Sequence, residues 1–197
     1  MGEQARGAGF WGRVAPGEHL LEFYEDEGRF MDTLEHYVLE GLRAGEAVLA
    51  IANVAHRGAL RARIDAAGLD STMLAATGRY LALDAAGTLS QIMVAGWPDE
   101  ARFERVMGGA IAQASRHVRR VRAFGEMVAL LWGQGLHQPA VRLEEFWHRL
   151  CKRRQVAVLC GYPRFGSARG LNEAIADVCT LHSQVRNPAR DLETSDA

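Results

Sequence analysis

Short apolar runs alternate along this chain with longer segments whose apolar residues recur every three to four positions. His19-Leu20-Leu21-Glu22-Phe23-Tyr24 predicts a first strand. A helix begins at Glu25-Asp26-Glu27, because carboxylates favour the positive end of the helix dipole. Phe30, Met31, Leu34, Tyr37, Val38 and Leu42 share one face of it, and Gly41 and Gly45 end it. Glu46 to Asn53 predicts a second strand with Ala-Val-Leu-Ala-Ile-Ala at its heart. A helix follows from about residue 55 to 67, closed by Gly68, and Arg79 to Asp84 predicts a third strand. A short helix over 85–94 then leads to Trp97-Pro98-Asp99.

The next helix carries its stripe on Phe103, Val106, Met107, Ala110, Ile111 and Ala114, with Glu100 and Glu104 early and Arg116 and His117 late. Val121-Arg122-Ala123-Phe124 predicts a central buried strand, broken at Gly125 before Glu126 and the apolar run Met127 to Trp132. Past Gly133-Gln134-Gly135, Pro139 opens a helix that carries Ala140, Leu143, Trp147 and Leu150. Val156 to Cys160 predicts a last buried strand, and Leu171, Ala174, Ile175 and Val178 mark a closing helix. Residues 1–17 are expected to be a flexible arm with Phe10 and Trp11 as its anchors. Residues 183–197 are expected to be a disordered polar tail. Strands alternating with helices of this length predict an α/β domain over 18–182. Its sheet is expected to be mostly parallel, with helices on both faces in three layers.

Composition narrows the function more than the fold. Of 197 residues, 48% are hydrophobic, enough for one sizeable core. Lys plus Arg number 23 against 24 Asp plus Glu, a net charge of −1 that supplies no bulk attraction for nucleic acid or anionic lipid. The local clusters Arg116 to Arg120 and Lys152 to Arg154 fall where helices end, and there cations complement the dipole. Cys151, Cys160 and Cys179 are too widely spaced for a zinc motif and suggest no disulfide framework. No window approaches a membrane span, so a cytoplasmic protein is expected, with no direct nucleic-acid or membrane partner and no cofactor.

Candidate chemistry gathers at strand ends, where α/β proteins bind ligands. The first strand-to-helix turn, Tyr24-Glu25-Asp26-Glu27-Gly28-Arg29-Phe30, has one glycine, no Gly-Lys-Ser/Thr and three carboxylates where phosphate oxygens would sit. At ~4 Å each like-charge contact costs about 1 kcal/mol in water-like surroundings and more when buried, so phosphate binding by the usual route is disfavoured. Asp84 has two readings, a magnesium-holding aspartate or the N-cap of the next helix. Glu126 follows a glycine among Phe124, Met127 and Trp132, and suits a ligand acceptor or general base, with a structural carboxylate as the alternative. Tyr24 and Tyr162 are candidate pocket walls, each with an apolar body and a polar tip. Arg122, a charge within a core strand, needs a partner, and Glu144 beside the apolar face of Leu143 and Trp147 is the expected one. His19 is expected to pair with Glu22 or another carboxylate rather than a metal, and Cys160 to be an inert core residue.

Taken together, these marks resemble the MEDS family, a methanogen/methylotroph sensory domain also found in a dichloromethane-responsive regulator. The resemblance rests on His19 with Phe23-Tyr24-Glu25, Gly41-Leu42 with Gly45-Glu46, and Gly78 with Leu83-Asp84. It rests further on Arg122-Ala123-Phe124-Gly125-Glu126-Met127-Val128, Leu143-Glu144 with Trp147, and Cys160 with Tyr162-Pro163. The chain departs from the family at Gly135-Leu136, where Gly-Asn is common. The resemblance implies a RecA/KaiC-like core with a degenerate phosphate loop and the strand order 5-1-4-3-2. That order is expected to bring Tyr24, Glu25, Asp84 and Glu126 together. It also implies a non-catalytic sensor of a small, hydrocarbon-derived organic ligand. No helix-turn-helix or kinase module is expected in the chain, so output would pass to a separate histidine kinase or transcription regulator, or through self-association. The alternatives are a residual nucleotide-binding ATPase using Asp84 and Glu126, and a ligand-free interaction module.

Overall fold

A computed structural model describes residues 14–163 and 171–186. In chain order the elements are β1 (His19–Tyr24), α1 (Glu27–Arg43), β2 (Ala47–Ala52), α2 (Val54–Ala66), α3 (Ser71–Ala76), β3 (Tyr80–Asp84) and α4 (Ala85–Ile92). They continue with β4 (Met93–Val94), β5 (Trp97–Pro98), α5 (Glu100–Ala114), β6 (Val121–Gly125), α6 (Met127–Gly133), α7 (His137–Arg154), β7 (Ala157–Pro163), α8 (Leu171–Leu181) and β8 (Gln184–Arg186). The alternating pattern of the sequence thus folds into an α/β sandwich. The short helix α3, the hairpin of β4 and β5, and the strand β8 carry too few residues to show a period.

Five helices start on the same device: a side-chain oxygen of Asp26, Asn53, Asp70, Asp84 or Asp99 accepts from a backbone N–H in the first turn. Strand parity then sorts the core into two halves. Leu21, Leu49, Ala123 and Val158 face α4 to α8, while Leu20, Val48, Phe124 and Leu159 face α1, α2 and α3. A six-stranded parallel sheet therefore lies between two helical layers, as expected.

The strand order is β3-β2-β6-β7-β1-β8. Counting the five strands of the sequence reading, the implied 5-1-4-3-2 does not hold. Here β7 separates β1 from β6, and β2 separates β6 from β3. With β3 set aside as an edge addition and β8 counted as fifth, the same order reappears as β8-β1-β7-β6-β2. Burial explains the placement: all six residues of β2 are buried, whereas Ala82 and Asp84 of β3 are exposed and suit an edge. The chain after His182 also holds structure where a tail was expected, since Leu20, Leu21 and Glu22 pair with Gln184, Val185 and Arg186. The remainder of the expected tail, and residues 1–13 of the expected arm with Phe10 and Trp11, lie outside the described residues.

Candidate functional site

The carboxyl ends of β1, β2, β6 and β7 meet at one crevice, and Glu126 sits on its floor. Its backbone N–H continues the sheet by donating to Ile51 O at 2.9 Å, and its side chain crosses to the end of β2. There Asn53 N donates to Glu126 Oε2 at 2.5 Å and Asn53 Nδ2 to Oε1 at 3.2 Å. His56 Nδ1 makes a short contact with Oε1. The other imidazole nitrogen reaches Glu27 Oε1 at 2.9 Å, so a buried histidine bridges a buried carboxylate and an exposed one. The bond from Glu126 holds the His56 pKa above its ordinary value. Burial opposes it, and the Glu126 charge and the Glu27 bond reinforce it. Both oxygens of Glu126 are thus engaged, an arrangement suited to an acceptor fixed in place rather than to a base.

Above this floor lies a cavity of about 370 Å³ bounded by Tyr24, Asn53, Glu126, Ala129, Leu130, Gly133, Gln134 and Pro163. The Tyr24 ring stacks on Phe30, with centroids 4.0 Å apart. Burial, then the charges of Glu126 and Glu27, push its hydroxyl well above the usual phenol range, so it stays a neutral donor. Apolar walls from Ala129, Leu130 and Pro163 face a few polar groups, the usual make-up of a small-molecule site.

Of the five sequence candidates for this site, Tyr24 and Glu126 line the cavity, and Tyr162 and Asp84 lie elsewhere. Glu25 is exposed on the same turn, and it is Glu27 that reaches the cluster through His56. Tyr162 is paired in register with Phe23, one position before Tyr24, and so points to the opposite face of the sheet. Its neighbour Pro163 faces the crevice instead. Asp84 caps α4 by accepting from Gly87 N at 2.7 Å and bridges Arg57 at 2.8 Å on the edge strand, away from Glu126. Its capping reading is the one the geometry supports.

The expected Arg122–Glu144 bridge does not form. Parity sets Arg122 on the α1 face with Phe124, whereas Glu144 belongs to α7 on the other face. Arg122 Nε donates to Glu46 Oε2 at 2.5 Å and Nη1 to Tyr37 O at 2.9 Å. The close approach needs Gly41: a Cβ there would lie 2.6 Å from the Arg122 Cδ and Nε atoms. Gly125, by contrast, needs no special conformation, since a Cβ would meet only Trp147 at an ordinary 3.8 Å. Trp147 is fully buried in the core, as its helical stripe implies.

Glu144 instead lies among His19, Cys160, His182 and Tyr162, all buried. Burial pushes its carboxyl up, but His182 and then His19 outweigh that and hold it well below the usual range. Burial, then the charge of Glu144, raises the Cys160 thiol and the Tyr162 hydroxyl. Sequence reasoning missed Asn53, His56 and His182. The Asn53-x-x-His56 spacing at a strand end was a capping signal, and the strand order turned it into a site residue pair.

A second, larger groove of about 510 Å³ runs between α2, α3 and the β3 edge. It is lined by Arg57, Arg61, Ser71 and Tyr80 among others. The Ser71 Oγ and Tyr80 hydroxyl there have no hydrogen-bond partner among the described residues. No helix of the described residues is long and apolar enough to cross a membrane.

The family model described as the MEthanogen/methylotroph, DcmR Sensory domain, MEDS, matches residues 18–183. A search of curated proteins returns no match. Among solved structures, a KaiC-like protein from the hyperthermophilic archaeon Pyrococcus horikoshii OT3 superposes with a TM-score of 0.55 at 14% identity. The alignment covers 86% of this chain and 71% of that one. At that identity the likeness speaks to the fold alone, and the fold is the KaiC-like one implied by the motifs.

Proposed function

The chain belongs to the MEDS family of sensory domains, and from that premise we propose that it is a non-catalytic sensor holding a small organic ligand in the crevice above Glu126. The observation that carries this reading is the cavity itself, with apolar walls of Ala129, Leu130 and Pro163 over a fixed acceptor at Glu126. A neutral, largely apolar molecule with one hydrogen-bonding group matches that lining, because an added anion would meet Glu126 and Glu27. Such a ligand fits the hydrocarbon-derived class implied by the motifs. Signalling requires that it bind two conformations with different affinity. The helix α6, which supplies Ala129, Leu130 and Gly133, is the element a ligand would press on, and its far side packs on α7. A separate regulator or kinase, or a second copy of the chain, would read the change.

The rival reading is a residual nucleotide-binding protein using Asp84 and Glu126. Two features weigh against it. The N-terminus of α1, where a phosphate would sit, already receives the Asp26 carboxylate, which accepts from Arg29 N at 2.8 Å. Asp84 and Glu126 end strands that are not neighbours, with β2 between them. The test is thermal melting of the protein with Mg-ATP, with ADP and with a panel of small organics. A ligand at 100 times its dissociation constant adds about 2.7 kcal/mol, or several degrees for a domain of this size. A shift with an organic compound alone supports the sensor reading. A shift with Mg-ATP returns the chain to the nucleotide-binding class, and no shift at all favours the ligand-free interaction module.

A further inference from the structure

Four side chains, from three elements and the turn after α8, converge on the α7 face of the sheet, opposite Arg122 and α1. They are His19 at the start of β1, Glu144 of α7, Cys160 of β7 and His182 just past α8. One ligand atom from each lies within 4.8 Å of all the others, and all four residues are buried. His19 Nε2 is 3.2 Å from Glu144 Oε2, and Cys160 Sγ is 3.5 Å from both. His182 Nε2 is 3.5 Å from the same carboxylate oxygen. Tetrahedral coordination at metal bonds of about 2.0 to 2.3 Å sets ligand atoms about 3.3 to 3.6 Å apart. The four separations above lie in or near that range and the other two pairs lie within 4.8 Å, while the His19 and His182 rings stack with centroids 3.8 Å apart and must splay on binding.

The outer contacts point the same way. His182 Nδ1 lies 2.6 Å from Val178 O and His19 Nδ1 3.2 Å from Leu181 O, so in both rings the N–H is directed at a backbone carbonyl and the Nε2 lone pair at the cluster. Among the described residues the polar contact of His182 Nε2 is Glu144 Oε2 at 3.5 Å, too loose for a good hydrogen bond, and the side chain is fully buried. The Tyr162 hydroxyl donates to Glu144 Oε1 at 2.7 Å and so turns Oε2 inward. A buried imidazole nitrogen held by so loose a contact is under-satisfied in a protein interior, and coordination would satisfy it.

We propose that His19, Glu144, Cys160 and His182 form a closed four-ligand site for a divalent ion of the zinc class. Two imidazoles, a thiolate and a carboxylate are a borderline-soft set suited to that ion, and the four protein ligands leave no open position. On binding, the Cys160 thiol proton passes to solvent, and the thiolate and carboxylate together neutralise the dication. The site is structural. It ties the start of β1, the middle of β7 and α7 to the end of α8, immediately before the Ser183 contacts that begin β8. It stands apart from the crevice of Glu126, and its fate is independent of the sensor reading.

The experiment is metal analysis of the full chain, purified without a metal-affinity tag from zinc-supplemented culture, followed by replacement with Co²⁺. About one equivalent of zinc per chain is expected, with a fall in melting temperature of several degrees on chelation. Cobalt should show tetrahedral d–d bands and a thiolate charge-transfer band. The charge-transfer band is lost in Cys160→Ser and kept in Cys179→Ser. Wild-type protein that carries no metal and takes up no cobalt on refolding overturns the proposal, whether or not the variants fold. So does a charge-transfer band that survives Cys160→Ser or needs Cys179.

Discussion

Removing Glu46 should cost far more than removing an ordinary acidic residue, because it neutralises a guanidinium that has almost no access to water. Arg122 and Glu46 side chains are 3% and 5% exposed, with Nε and Oε2 2.5 Å apart. Without the carboxylate, Arg122 keeps, among the described residues, Tyr37 O at 2.9 Å and the Tyr37 ring, whose centroid is 5.0 Å away. Breaking one side of such a pair costs about 3 to 5 kcal/mol, whereas replacing both partners by apolar residues is close to neutral. Glu46→Leu and Arg122→Met should each fall near that range, and the double variant well below their sum, a coupling on the order of 3 kcal/mol. Arg120 also reaches Glu46 at 3.2 Å, but it is 47% exposed, and its share should be no more than about 1 kcal/mol. Urea unfolding of the four proteins at neutral pH measures the cycle. Singles that add to within about 0.5 kcal/mol, or a cost for Glu46→Leu below about 1 kcal/mol, would show that Arg122 does not depend on Glu46.

Three further outcomes follow from the geometry. Gly41→Ala should destabilise by about 1 to 3 kcal/mol, since its Cβ would press on the locked Arg122 side chain 2.6 Å away, and a wild-type urea midpoint would show that the helix shifts freely. His56 has its pKa raised by Glu126 and Glu27, so its contribution is full below the unfolded value of about 6.5 and is lost as pH rises through the folded value. The stability gap between wild type and His56→Gln should therefore narrow from pH 6 to pH 9, and a gap that widens contradicts the charged bridge. Asp84→Ala should lose about 0.5 to 2 kcal/mol as a lost helix cap while leaving any ligand-induced melting shift intact. A lost shift would place Asp84 back at the site.

Much of the fold was legible because burial imposes a period on the sequence. The six buried residues of β2 and the stripes of α1, α5 and α7 could be read directly. Short elements such as α3 and β8 could not, because six residues make fewer than two helical turns and three residues give a strand almost no alternation. Site residues were legible one at a time. Tyr24 and Glu126, read from strand ends, line the crevice, while Tyr162 lies one position off, enough to reverse the face it occupies. Arg122 was correctly read as needing a partner, but the partner lies at the start of β2 on the α1 face. Neighbours such as His56 for Glu126, or His182 for Glu144, depend on which strands lie side by side. That information belongs to the topology, and no local spacing carries it.

If the crevice between Tyr24, Ala129 and Leu130 holds the ligand, filling it should weaken binding. The most direct test is the equilibrium affinity of the compound that shifts melting, measured for wild type and for Ala129→Trp, which fills the cavity from α6. A loss of affinity of at least tenfold, about 1.4 kcal/mol, is expected in a variant that still unfolds cooperatively. Unchanged affinity in that variant, especially with a loss in Tyr80→Phe at the groove beside α3, would rule the crevice out and move the site to the β3 edge of the sheet.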